Sequence, residues 1–149
     1  MKTRGTALNP HNRFQLLASD RHRDDGWYQD PEDDLNPDSL ATEVMDEQVR
    51  TIIRRNQSPD VPFDRSINPY RGCEHACIYC FARPTHAYWD MSPGLDFETR
   101  LIAKPNAADR LRRELDHPGY RPAPLALGVN TDAYQPVERQ RRITRQLLE

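Results

Sequence analysis

Three cysteines, Cys73, Cys77 and Cys80, stand within eight residues, and the chain has no others. Thiolates on one short loop can converge on a single soft metal centre. An odd number packed this tightly is not a disulfide framework, so the group reads as ligands in a reducing compartment. The spacing is C-x3-C-x2-C, carried by Cys73-Glu74-His75-Ala76-Cys77-Ile78-Tyr79-Cys80. Iron–sulfur cubanes usually take four cysteine ligands. Three would leave one iron without a protein ligand, and an open coordination position lets a metal site do chemistry rather than only hold a fold. Two other chemistries compete. With His75 or His86 the thiols form a Cys3His set for tetrahedral zinc, although paired C-x2-C knuckles are the commoner zinc pattern. Cys77 and Cys80 also form a redox C-x-x-C, which would leave Cys73 idle.

Several elements must position that loop. Ser66-Ile67-Asn68-Pro69-Tyr70-Arg71-Gly72 reads as a short extended segment, stopped by glycine, that leads into Cys73. Residues 97–104 read as a strand stopped by Pro105. Asn106 suits an N-cap, and the helix after it carries Ala108, Leu111 and Leu115 on one face. His117-Pro118-Gly119 ends that helix. Residues 124–130 read as a second strand, residues 131–135 as a loop, and Pro136 sits near a helix start. Ile143 and Leu147 fall four apart on that last helix. Strands alternating with helices predict a parallel sheet of βαβ units. Asn130, Thr131 and Asp132 then lie at the carboxyl end of a strand, where α/β folds collect ligands.

Composition divides the chain. Residues 1–47 carry five basic and eleven acidic side chains, and residues 48–149 carry sixteen and twelve. The first stretch reads as an acidic arm, with Phe14, Leu16, Leu17, Trp27 and Tyr28 scattered without a period. Hydrophobic residues are 36% of the chain and mean hydropathy is -0.92, so the core is thin for the length. No stretch approaches the ~18 apolar residues of a membrane span, which excludes an integral membrane helix. No apolar run follows the basic start Met1-Lys2-Thr3-Arg4, so a cytoplasmic location is expected. Arginine supplies 19 of the 21 basic residues, which a GC-rich genome explains as readily as phosphate binding. Arg139, Arg141, Arg142 and Arg145 read as a solvated helix face, since no aromatics interleave them.

The C-x3-C-x2-C group, with Tyr79 directly before its last cysteine, resembles the cluster motif of the radical S-adenosylmethionine (SAM) superfamily. The stretch from Ser66-Ile67-Asn68-Pro69-Tyr70-Arg71-Gly72 through Cys80-Phe81-Ala82-Arg83-Pro84 resembles that superfamily's spore photoproduct lyase-like branch, whose members are often labelled DNA repair photolyases. The resemblance covers residues 50–149. It implies a [4Fe-4S] cluster on Cys73, Cys77 and Cys80, with SAM chelating the fourth iron. It implies reductive cleavage of SAM to a 5′-deoxyadenosyl radical that abstracts hydrogen from a substrate, and an electron donor such as flavodoxin or ferredoxin. Tyr79 would pack near the adenine. The superfamily's Gly-Gly-Glu-like element has no counterpart here, so Asn130, Thr131 and Asp132 are the candidates for SAM contacts. No cysteine is left over as the hydrogen donor that spore photoproduct lyases use, which speaks against that chemistry. The implied fold is a partial parallel (β/α) barrel, here truncated after about three strand-helix units. The chain therefore reads as a fragment. DNA, a peptide and a small molecule all stay open as substrate.

Overall fold

A computed structural model describes Gly5, Thr6, Asn9, Pro10 and residues 41–149. The scattered apolar residues of the arm, Phe14 to Tyr28, and its acidic run at 30–34 lie outside the described residues.

Among the described residues, six short strands form two three-stranded sheets. They are β1 (Glu43–Asp46), β2 (Arg54–Arg55), β3 (Arg65–Ile67), β4 (Tyr70–Arg71), β5 (Arg100–Ala103) and β6 (Ala126–Leu127). In one sheet β5 lies centrally, parallel to β1 and antiparallel to β4. In the other, β3 lies centrally, antiparallel to β2 and parallel to β6. Residues 65–71 serve both sheets. Asn68-Pro69 breaks the segment, because proline has no N–H to continue a ladder. Ile67 then accepts from Gly128 N at 2.9 Å on one side, and Pro69 accepts from Lys104 N at 3.1 Å on the other.

This corrects the expected partial parallel (β/α) barrel. Both sheets are mixed, no barrel closes among the described residues, and β5 and β6 do not share a sheet. The expected strand over residues 97–104 divides as well. Its first part belongs to a short helix, α1 (Leu95–Thr99), and only β5 is extended. Local bonds decide this against the apolar pattern. Ser92 N donates to Asp96 Oδ2 at 2.9 Å, and Thr99 Oγ1 donates to Leu95 O at 2.9 Å. Asn9 Oδ1 accepts from Asp96 N at 2.8 Å, which supplies from afar the first-turn partner that Gly94 cannot. The second expected strand shortens to β6, since Gly128 turns left-handed at φ 72°.

Helix α2 (Ala107–Leu115) follows the sequence pattern, burying Ala108 and Leu111, while Leu115 rolls out to 39% exposure. Asn106 caps it through position alone. Its side-chain amide instead clamps Val49, accepting from Val49 N at 3.1 Å and donating to Val49 O at 2.9 Å. Helices α3 (Glu138–Arg141) and α4 (Ile143–Leu148) close the chain. The core joins Ile52, Ile67, Tyr70, Leu101, Leu111, Val137 and Ile143. Full burial of a side chain such as Leu101 contributes about 1.5–3 kcal/mol. Tyr70 hydroxyl donates to Glu138, whose half-buried carboxylate also accepts from Thr144 N and Arg145 N, so one carboxylate ties α3 and α4 to β4. Among the described residues no helix is long and apolar enough to cross a membrane.

Part of the arm is structural. Residues 43–46 form the edge strand β1. Gly5 N donates to Glu98 Oε2 at 3.0 Å, and Ser92 Oγ donates to Pro10 O at 2.7 Å.

Candidate functional site

The cysteine loop leaves β4 through Gly72, which is left-handed at φ 73°. Three successive turns then pivot on the cysteines: Ala76 N donates to Cys73 O, Cys80 N to Cys77 O, and Arg83 N to Cys80 O, all at 3.2–3.3 Å. Ala76, at φ 58°, takes a conformation that costs roughly 1–2 kcal/mol for an alanine and needs surrounding contacts to hold it.

Those contacts come from distant parts of the chain. Gln135 is fully buried and straddles Cys73, donating to Gly72 O at 3.1 Å and accepting from Glu74 N at 3.0 Å. Cys73 N donates to Phe97 O at 2.9 Å. Arg83, buried behind the loop, donates to Cys77 O at 2.9 Å and to Pro93 O and Gly94 O, and pairs with the buried Glu98 carboxylate. A 3-10 helix over Arg83–Trp89 carries that arginine. Sequence reasoning placed Gln135 in a loop and Arg83 in a resemblance, with no positioning role for either. The partners lie up to 63 residues away, so only the fold reveals them.

An open cleft of about 440 Å³ is lined by Cys73, Cys77, Cys80, His75, Asn130, Thr131 and Asp132. The structure thus brings the three cysteines together with all three residues singled out after the second apolar run. Thr131 is buried and its hydroxyl donates to Tyr70 O at 3.0 Å. Asn130 N donates to Asn68 Oδ1 at 2.8 Å, which leaves its own side chain at the exposed rim. Asp132 Oδ2 lies 3.1 Å from His75 Nε2. Tyr79 is 86% exposed and does not line the cleft. Among the described residues, no three His, Cys, Asp or Glu side chains are drawn tightly enough together for a single metal ion.

Burial pushes the Cys73 thiol up from its ordinary pKa, and backbone N–H groups of His75 and Asp132 at its sulfur partly offset this. His86 is a different case. It is buried, its Nε2 lies 2.9 Å from Arg100 O, and its ring meets Phe97 edge-on. Burial holds its pKa below the ordinary value. It stands outside the cleft, so of the two histidines only His75 shares space with the thiols.

Beneath the cleft, Asn130 and Thr131 also line a small cavity of about 60 Å³ that contains Lys104. Lys104 is 6% exposed, and its Nζ donates to Asn68 O at 2.6 Å. Burial lowers its pKa to about 8, with Arg71 and Arg54 adding to the effect and Glu47 opposing it. Between pH 8 and 10.5 the unfolded chain keeps a proton that the folded chain has released. Stability therefore rises with pH across that window, by a contribution of order 3 kcal/mol. The penalty is fully present below pH 8 and gone above 10.5. In urea unfolding, Lys104→Met is expected to lose this rise relative to wild type. Parallel pH profiles for the two proteins would contradict the assignment.

Among the described residues, two of the four arginines of the last helices are paired: Arg141 Nη1 lies 3.2 Å from Asp46, and Arg145 Nε lies 2.7 Å from Glu149.

No protein-family model matches this chain, and no solved structure matches it. Similar proteins occur in Mycobacterium bovis and in two strains of Mycobacterium tuberculosis, each named "uncharacterized protein" and each 55% identical over 78 residues. The match takes in 52% of this chain and 23% of each relative, so the chain spans less than a quarter of their length.

Proposed function

We propose that the cysteine loop binds a [4Fe-4S] cluster with one open iron, and that the cleft beside it receives SAM. One observation carries this reading: the three thiols and residues 130–132 line the same open cleft. The donor set fits the group. It offers three sulfurs on one loop, no lysine or arginine lines the cleft, and backbone N–H groups of His75 and Asp132 face the Cys73 sulfur. Hydrogen bonds to sulfur are among the levers that set a cluster's potential. When bound, the reduced cluster supplies the electron that cleaves the SAM carbon–sulfur bond and so generates a 5′-deoxyadenosyl radical.

The chain's own residues hold and orient. Cys73, Cys77 and Cys80 would hold the cluster through their thiolates. Gln135 fixes the Gly72 carbonyl and the Glu74 N–H on either side of Cys73, and Arg83 fixes the carbonyl of Cys77, so the ligands keep their spacing. Asp132 presents a carboxylate for the methionine ammonium, and Asn130 an amide for the methionine carboxylate. Thr131 steadies that loop through Tyr70 O. Free thiols of this kind suit the reducing cytoplasm, with flavodoxin or ferredoxin as the class of electron donor.

SAM added to the anaerobically reconstituted, dithionite-reduced protein is expected to change the cluster's electron paramagnetic resonance signal. Replacing Asn130 and Asp132 together by alanine should raise the SAM concentration needed by about tenfold or more, because charge-assisted hydrogen bonds contribute roughly 1.5–3 kcal/mol each. A cluster whose signal ignores SAM at every concentration would remove SAM from the account and leave only the metal centre.

A further inference from the structure

A second concavity lies at the other end of the segment that leads to the cysteines. Arg65 begins β3, and the cysteine loop begins after β4. The concavity measures about 320 Å³, the low end of the range for small-ligand pockets. Four arginines enter it from three places: Arg50 before β2, Arg55 on β2, and Arg110 and Arg113 on α2. None of these four side chains makes a hydrogen bond or ion pair with the described residues. Arg65 joins them from the floor, 8% exposed. Its Nη1 donates to Arg121 O at 2.6 Å and its guanidinium lies over the Tyr120 ring at 5.5 Å. Its Nε is buried without a hydrogen bond, the Asp64 carboxylate standing 3.5 Å away.

The acidic group in the pocket does not balance this charge. Glu114 is engaged by the backbone, accepting from Ile52 N at 2.5 Å and Ile53 N at 3.2 Å. His117 accepts from Gly119 N through Nδ1 at 3.1 Å, which leaves Nε2 as a donor. Among the described residues, five guanidinium groups line this concavity against the single carboxylate of Glu114, with Asp64 beside Arg65; the excess positive charge is mutually repulsive, and an anion relieves it. Guanidinium forks match phosphate oxygens bidentately, and arginine stays charged at any working pH. Ile53 and Tyr120 add an apolar wall beside the donors.

We infer that this pocket binds a ligand through at least two phosphate groups. The site is separate from the cysteine cleft and stands whether or not the cluster forms there.

Isothermal titration of the full 149-residue chain in EDTA buffer tests it with three probes: inorganic pyrophosphate, ADP, and a twelve-nucleotide single-stranded DNA. Saturable one-to-one binding of pyrophosphate and ADP is expected. The variant Arg110→Gln/Arg113→Gln, whose side chains make no hydrogen bond or ion pair with the described residues, should weaken binding by roughly tenfold or more. The charge-matched control Arg112→Gln/Arg139→Gln should stay within about twofold of wild type, being outside the pocket. Binding of the oligonucleotide alone, weakened by the first variant and spared by the control, would identify the phosphates as those of a nucleic acid. Failure of all three probes to bind, or equal weakening by variant and control, would overturn the inference. The melting temperature of each variant, taken alongside, shows that it folds.

Discussion

Anaerobic reconstitution of Cys73→Ala, Cys77→Ala and Cys80→Ala is expected to give iron and sulfide contents at background for each single variant. The loop's other ligand types are engaged elsewhere, Glu74 accepting from Thr42 Oγ1 at 2.8 Å. His75 is the one further nitrogen donor on the cleft wall, and it pairs with Asp132. His86 is buried outside the cleft. On the proposed reading three thiols would hold three irons, so losing any one would uncover a second iron. His75→Ala is the informative control and should retain most of the iron and sulfide. Loss of metal by His75→Ala as complete as that of the cysteine variants would make a Cys3His zinc site the better account, since zinc needs a fourth protein ligand there.

Gly72→Ala is expected to cost on the order of 3 kcal/mol or more in stability and to weaken cluster retention with it. Two independent penalties meet at this position. The residue is left-handed at φ 73°, a conformation that costs a side-chain-bearing residue roughly 1–2 kcal/mol. A Cβ there would also stand 2.8 Å from Leu101 Cδ2, 2.9 Å from the Phe97 carbonyl oxygen and 3.0 Å from His86 Cε1. Leu101 is fully buried and Phe97 O holds Cys73 N, so neither can yield cheaply. Overpacking of this kind typically adds about 1–3 kcal/mol. Gly119→Ala is the matched control. Its Cβ would meet only the His117 ring, at 3.3 Å, and it should be nearly neutral. Urea midpoints of the two variants measure the contrast, and equal midpoints would show that the turn into the cysteine loop is not the constraint described here.

The clustering of the three cysteines was legible because it is local: three thiols within eight residues stay close together whatever fold surrounds them. Helix α2 was legible because Ala108 and Leu111 repeat at helical spacing over nine residues. The barrel was misread because strands of two to four residues are too short for a period to declare itself. Asn68-Pro69 passes one segment from one sheet to the other, and no apolar pattern marks that change. Residues 97–99 look like strand in isolation, yet Asn9, Ser92 and Thr99 supply helical bonds. Gln135 and Arg83 were invisible as positioning groups, since their work depends on backbone carbonyls that only tertiary contact brings within reach. The arginine pocket was hidden twice over. Its members run from Arg50 to Arg113, and an arginine-rich composition makes any single one uninformative.

The central claim is that the three thiols and their shared cleft hold an iron–sulfur cubane with one open iron. Metal and acid-labile sulfide analysis of the anaerobically reconstituted chain, exposed to iron, sulfide and zinc together, tests it most directly. The account predicts about four iron and four sulfide per chain, in a brown protein. One zinc per chain with no sulfide, in a colourless protein, would contradict it.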